Sequence, residues 1–122
     1  MTGVQTCALP IYKAELAIRQ LKQEEQELRN RIALEVKTAA AQLESARSQV
    51  DVASLGVSLA KQEVEQARDR FQAGVANNIE VVTAQDELAR ANDNQIAALY
   101  RYNQSRADLA HAAGQMEALY AR

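Results

Sequence analysis

Residues whose types could support chemistry are few and lie far apart. The chain has one histidine, His111, and one cysteine, Cys7, whereas a zinc site needs several such ligands brought together. No cluster of acidic residues at ligand spacing accompanies either of them. No segment has the pattern of an activated nucleophile, a catalytic pair of carboxylates or a glycine-rich phosphate loop. We therefore predict no catalytic residue, no metal site, no cofactor and no active site within this chain.

The composition is typical of long helices. The chain is 48% hydrophobic but only 4% aromatic, with one Pro and four Gly in 122 residues. Its most used residues, Ala, Gln, Leu, Glu and Arg, are all strong helix formers. The net charge of −2, with 25% charged residues, argues against a nucleic-acid partner, which would require clustered Lys and Arg. No run approaches the roughly 18 apolar residues of a membrane span, and no signal-peptide pattern is visible.

The first eleven residues differ from the rest. Residues 1–11 contain the only Cys (Cys7) and the only Pro (Pro10), and they show neither helical nor strand periodicity. Their sequence, MTGVQTCALPI, resembles a translated sequencing adapter, so we interpret them as not native. The alternative is a native extended leader. On the first interpretation the native residues are 12–122, they lack Cys, and they come from inside a longer protein.

From Val36 onward, apolar residues recur with heptad spacing, and each bulky residue is followed three residues later by a small one. The first block pairs Val36, Leu43, Val50, Val57, Val64 and Phe71 with Ala39, Ala46, Ala53, Ala60 and Ala67. The second pairs Val81, Leu88, Gln95, Tyr102, Leu109 and Met116 with Ala84, Ala91, Ala98, Ser105, Ala112 and Leu119. This spacing is the signature of a coiled-coil seam. The polar Gln95 either fixes the register of the helices or turns its amide to water.

Between the two blocks the sequence predicts a turn. Gly74 suits the left-handed position just past a helix end. Asn77 and Glu80 have the spacing of a capping box that opens a second helix. A short connection implies antiparallel neighbours. We therefore predict an all-α fold, a long antiparallel coiled-coil hairpin with helices over about 14–73 and 78–120 and a turn at residues 74–77.

A second set of apolar residues lies off the seam. It comprises Val52, Leu55 and Leu59 in the first helix and Val82, Ala89, Ile96 and Leu99 in the second. In an isolated hairpin these side chains would face water, which soluble monomers rarely tolerate over a large patch. We predict lateral packing against further helices, in an oligomer or helical barrel. The alternative is scattered exposed apolar residues, which are ordinary.

The residues around the turn resemble the TolC-like outer-membrane efflux proteins. Residues 67–91 contain a basic-aromatic pair before Gly74, an acidic residue, Glu80, near the next helix start, and then Ala-Gln, Leu and Ala in order. Residues 98–102, leading to 109–114, are similar to the return helix of that family, which often ends in Leu-x-x-Ala-x-Gly. The resemblance covers nearly everything after residue 14.

The resemblance implies that the chain is a fragment of a trimeric outer-membrane channel. A β-barrel in the outer membrane of a Gram-negative-type bacterium would continue into a long α-barrel across the periplasm, and the hairpin would belong to the α-barrel. The hairpin tips would meet a periplasmic adaptor protein, and through it an inner-membrane pump or type I secretion transporter. On this resemblance the channel itself would catalyse nothing. No strands are visible, so on this resemblance we expect the chain to represent only one repeat's helices, with the membrane-embedded β-strands outside it.

The same resemblance assigns functional residues. The adaptor-contacting tip comprises Phe71, Gly74, Val75, Ala76, Asn77 and Asn78, and Glu80 matches an acidic position that lines the closed entrance in some members. Ala76 and Thr83 stand where those members carry charged entrance residues, which argues against a salt-bridged gate. Phe71 also belongs to the bulky heptad row, so seam packing is at least as good an interpretation of that residue.

Two other functions share the heptads and the turn. One is the coiled-coil hairpin of the adaptor protein that such channels bind. Adaptors usually carry an Arg, a Leu four residues later and a Ser seven beyond, whereas here Arg68 is followed by Gln72 and Arg70 by Gly74. The other is a structural coiled coil that dimerises in the cytoplasm. The second apolar set and the tip motif argue against it.

Overall fold

The computed structural model describes residues 2–121, with side chains for residues 7–118 and 121. These residues form helix α1, Thr2–Gln72, helix α2, Asn78–Ala112, and the short helix α3, Met116–Tyr120, and no strand is found among them. The chain divides into two compact units, Met1–Lys37 and Thr38–Arg122. The second unit contains the predicted turn and tip residues.

The first unit is the N-terminal part of α1. Its larger apolar side chains, including Leu21 and Leu28, are exposed. On its polar side, Arg29 Nη2 lies 2.7 Å from Glu25 Oε1, one helical turn earlier. A pair in this order stabilises an isolated helix by about 0.2–0.5 kcal/mol. Within this unit, local helix propensity and such pairs favour the helix.

The beginning of α1 differs from the prediction. The sequence predicted a start near residue 14, after Pro10, but α1 begins at Thr2 and contains Pro10. A proline inside a helix removes one backbone hydrogen bond and adds a local clash, yet the residues on both sides can remain helical. The helical conformation does not bear on the origin of residues 1–11, and their non-native origin stays a prediction.

The second unit is an antiparallel hairpin, in which the C-terminal part of α1 packs against α2. Its buried apolar residues, each at most 9% exposed, come almost entirely from the two predicted rows. They are Ala39, Ala46, Val57, Ala60, Val64 and Ala67 of α1 and Val81, Ala84, Ala98 and Ala110 of α2. Only Ala110 falls outside the rows. The all-α hairpin prediction is therefore confirmed, and the core is a single seam.

The polar member of the seam has a partner across the hairpin. Gln95 is half-buried, and its Nε2 donates a hydrogen bond to Ser54 Oγ at 3.2 Å. Such a bond forms only when these two residues lie side by side, because hydrogen bonds weaken steeply with distance and misalignment. The contact therefore favours the register-fixing interpretation of Gln95.

The predicted second helix, about 78–120, is interrupted. α2 ends at Ala112, and α3 begins at Met116. Gly114 has φ +68°, the left-handed conformation that glycine adopts without steric cost. The Gln115 N–H donates to the Ala110 carbonyl at 2.8 Å, which closes the helix end. The side chain of Leu119, assigned above to the small row, lies outside the described residues.

The second apolar set is exposed, as predicted for an isolated hairpin. Val52 is 70% exposed, Leu55 61% and Ile96 65%. Across the described part of the chain, no helix combines the length and the hydropathy that crossing a membrane would require.

Candidate functional site

The hairpin tip is an ordered turn built by backbone hydrogen bonds. Gly74 has φ +73°, and its N–H donates to the Phe71 carbonyl at 3.0 Å. The N–H of Val75 reaches back to the Arg70 carbonyl at 3.0 Å, and that of Ala76 reaches the same oxygen at 3.2 Å. The first two bonds are those of a Schellman motif with Gly74 in the left-handed position. The predicted left-handed conformation of Gly74 just past the helix end is therefore confirmed.

The second helix begins with an asparagine cap. Asn77 has the extended backbone of an N-cap, φ −95° and ψ 167°. Its Oδ1 accepts a hydrogen bond from the Glu80 N–H at 3.2 Å, which satisfies one of the free amides at the start of α2. The turn thus has a hydrogen-bonded helix end on one side and a capped helix start on the other.

The capping-box prediction holds only for Asn77. In a full capping box the Glu80 carboxylate would return to the Asn77 backbone N–H. Instead, Glu80 Oε1 accepts a hydrogen bond from Arg70 Nη1 at 2.7 Å, so its ion pair connects the last turn of α1 with the first turn of α2. A guanidinium carries a full positive charge and a fixed set of donors, so it competes strongly for a carboxylate.

Large apolar side chains project from the tip into solvent. Val75 is 71% exposed, Ile79 70% and Phe71 48%. Phe71 is the exposed member of the bulky row of α1, and it lies outside the buried cluster that contains Val64 and Val81. The interpretation of Phe71 as a seam residue is therefore wrong. The tip presents three bulky apolar groups on a hydrogen-bonded turn.

The predicted tip residues are accessible at the turn. Phe71, Gly74, Val75, Asn77 and Asn78 are exposed, and Ala76 is half-buried. Glu80 lies beside them, with 38% of its side chain exposed.

Sequence reasoning missed two residues at the tip. Ile79 lies next to the turn and outside both heptad rows. An apolar residue at such a position has no place in the seam, and this would have predicted its exposure. Arg70 was noted in the basic-aromatic pair and in the comparison with adaptors, but no contact was predicted for its side chain. Its side chain bonds Glu80 and its carbonyl closes the turn.

A shallow groove of about 370 Å³ runs along one face of the hairpin behind the tip. Three carboxylates, one guanidinium and one hydroxyl line it, from Glu63, Glu80, Glu87, Arg70 and Thr83. Arg70 is the cation of this groove, and Glu80 is the carboxylate that it binds. The groove contains no arrangement of a nucleophile with a base.

The single cysteine and the single histidine lie outside the tip and its groove. Cys7 is exposed in α1, and His111 is exposed in the last turn of α2. The described residues include no group of three or more His, Cys, Asp or Glu placed to hold a metal ion. The tip is therefore the candidate site, and its geometry suits contact with another macromolecule.

Comparison with known proteins agrees with the resemblance at the turn. The model of a family described as outer membrane efflux protein matches residues 10–115, which is most of the chain. The chain belongs to the outer membrane efflux protein family. Searches among curated proteins and among solved structures find no significant match.

Membership gives the chain a function at the level of the family. Outer membrane efflux proteins are channel proteins of the outer membrane, not enzymes, and they form trimers that work with adaptor and pump partners. The chain is thus a component of an outer-membrane efflux channel. The hairpin agrees with the helical barrel of outer membrane efflux proteins.

Proposed function

We propose that this hairpin forms part of the periplasmic α-barrel wall of a trimeric efflux or type I secretion channel, and that its tip contacts the periplasmic adaptor. Through the adaptor the channel works with an inner-membrane pump. The proposed contact surface comprises Phe71, Gly74, Val75, Ala76, Asn77 and Asn78.

The observation that carries this proposal is the exposure of bulky apolar side chains on an ordered turn. Phe71, Val75 and Ile79 face solvent, although the seam residues near the turn, Val64 and Val81, are buried. Burying one such side chain fully is worth about 1.5–3 kcal/mol. A partner that covered all three would gain a central apolar contact, and the polar Asn77 and Asn78 beside it would form a hydrated rim.

We also propose that Glu80 lines the channel entrance. Its side chain remains partly exposed next to the tip. In a trimer, three copies would be related by the symmetry axis, so each partly exposed carboxylate would contribute to the charge of the opening. Its ion pair with Arg70 is made within one chain and requires no neighbouring subunit.

The adaptor hairpin is the second candidate function. It would share the seam and the turn, but the matching family is that of the channels. The missing Arg-Leu-Ser spacing around residues 68–74 agrees with this preference. The same family match argues against a cytoplasmic structural coiled coil.

The tip contact can be tested in the full-length channel that contains this chain. We expect Val75→Asp together with Ile79→Asp to weaken binding of the cognate adaptor about thirtyfold or more, as loss of a central apolar contact does. Export of a fluorescent efflux substrate from cells should fall accordingly. Adaptor binding would be measured with the purified channel by biolayer interferometry.

The matched control is Gln42→Asp together with Gln49→Asp, which adds the same charge to exposed positions of α1 far from the tip. These variants should bind the adaptor and export the substrate as the unaltered channel does. Wild-type binding by a folded, trimeric tip variant would disprove the proposed contact.

A further inference from the structure

Arg70 bonds other residues of the tip through both its backbone and its side chain, which heptad spacing does not predict. Its carbonyl oxygen accepts the N–H groups of Val75 and Ala76, at 3.0 and 3.2 Å. Its guanidinium Nη1 lies 2.7 Å from Glu80 Oε1, on the far side of the turn. Arg70 therefore bonds both the turn, at Val75 and Ala76, and the first turn of α2, at Glu80.

We propose that Arg70 is a positioning residue, which sets the shape of the tip before any partner binds. The ion pair with Glu80 restrains residues 74–77, so that Phe71, Val75 and Ile79 are presented in one arrangement. The consequence for adaptor binding rests on the proposed function. The restraint on the turn does not, because it is a property of this chain alone.

The hydrogen-bond partner of Glu80 supports this role of Arg70. Glu80 stands three residues after Asn77, where a glutamate commonly bonds back to the cap residue. Here it bonds Arg70 instead. Glu63 and Glu87 line the same groove, so Arg70 also offsets repulsion among three carboxylates. Removing the guanidinium would release Glu80 and leave the groove with negative charge only.

Loss of the Arg70–Glu80 ion pair should affect the order of the turn more than the overall stability of the hairpin. The two side chains are 60% and 38% exposed, and exposed ion pairs contribute little to overall stability. The seam residues Val64, Ala67, Val81 and Ala84 pack without them. Loss of the pair should therefore loosen the turn and leave the hairpin folded.

Amide exchange with water, measured residue by residue by NMR on the 122-residue chain, tests the proposal. In Arg70→Gln we expect the Val75, Ala76 and Glu80 amides to exchange about two- to fivefold faster, the range that exposed pairs produce. Glu80→Gln should have the same effect, although it keeps Arg70. The charge-reversed pair, Arg70→Glu with Glu80→Arg, should restore slow exchange.

Arg68→Gln is the control, because it removes an exposed arginine of the same helix and changes the net charge equally. Its tip amides should exchange as in the unaltered chain. Because salt screens exposed charges, 1 M NaCl should also reduce the difference between Arg70→Gln and the unaltered chain.

Two results would overturn the proposal. One is equal exchange at the tip in Arg70→Gln and Arg68→Gln. The other is faster exchange spread evenly over Val57, Ala60 and the tip, which would indicate loss of overall stability. Neither result depends on the adaptor. A failure of the tip–adaptor contact would instead be seen with Val75→Asp and Ile79→Asp, while the exchange result would stand.

Discussion

At the scale of single residues, two glycines differ in whether the backbone requires them. Gly74 has a positive φ that its turn requires, whereas Gly56 lies inside α1. A Cβ built on Gly56 meets no atom within 4 Å. Glycine inside a helix costs about 1 kcal/mol relative to alanine. No contact within the hairpin therefore explains why position 56 lacks a side chain.

We expect Gly56→Ala to stabilise the hairpin by up to about 1 kcal/mol, because alanine has less freedom to lose on folding. Gly74→Ala should destabilise it by about 1–2 kcal/mol, the cost of a left-handed conformation for a residue with a Cβ. Thermal unfolding followed by circular dichroism measures both changes. A lower melting temperature for Gly56→Ala would contradict the first expectation.

At the scale of the helices, stability depends on the pairing of bulky and small residues. The cluster nearest the tip contains Val64 and Ala67 of α1 with Val81 and Ala84 of α2, and Leu88 packs against it. Small side chains in a seam let two helix axes approach closely. The alanines therefore act as spacers of minimal size, and a larger residue at such a position has no space to occupy.

Ala84→Leu tests this spacing. Ala84 is only 8% exposed, so the added atoms should force the helices apart and destabilise the hairpin by about 1–3 kcal/mol. Urea unfolding would measure the loss. Ala41→Leu, at an exposed position of α1, adds the same atoms outside the seam and should change the stability by less than about 0.5 kcal/mol. Equal effects at the two positions would rule out close seam packing at Ala84.

At the scale of the whole molecule, the hairpin exposes apolar residues that a channel wall would cover. Val52, Leu55 and Leu59 of α1 and Ile96 and Leu99 of α2 are all more than 40% exposed. Each fully covered side chain would contribute about 1.5–3 kcal/mol. Outer membrane efflux proteins are trimers, and lateral packing of this set agrees with that assembly.

We predict that the chain without residues 1–11 is helical by circular dichroism and self-associates. Leu55→Lys together with Leu59→Lys should shift it toward the monomer in sedimentation velocity, since two charges would have to be buried at the contact. The control is Gln42→Lys together with Gln49→Lys, which adds the same residues at exposed polar positions outside the helix face of Leu55 and Leu59 and should leave association unchanged. A strictly monomeric unaltered chain at high concentration would remove the case for lateral packing.

The sequence by itself determined the elements of this protein. The heptad rows contain the buried seam residues from Ala39 to Ala98, although Phe71 and Met116 of the same rows are exposed. Gly74 and Asn77 predicted how one helix ends and the next begins. These features depend on neighbours a few residues away, through helical periodicity, glycine conformation and local capping bonds, so they can be derived from the order of residues.

The tertiary structure decided which side chains meet. In it Glu80 accepts a hydrogen bond from Arg70 and does not bond the Asn77 backbone. Gln95 donates a hydrogen bond to Ser54, and Phe71 is exposed to solvent. Arg70 and Glu80 are ten residues apart in the chain, and their distance depends on the exact path of the turn. Heptad spacing marks Phe71 as apolar and in register, but only the tertiary structure shows that its side chain is exposed.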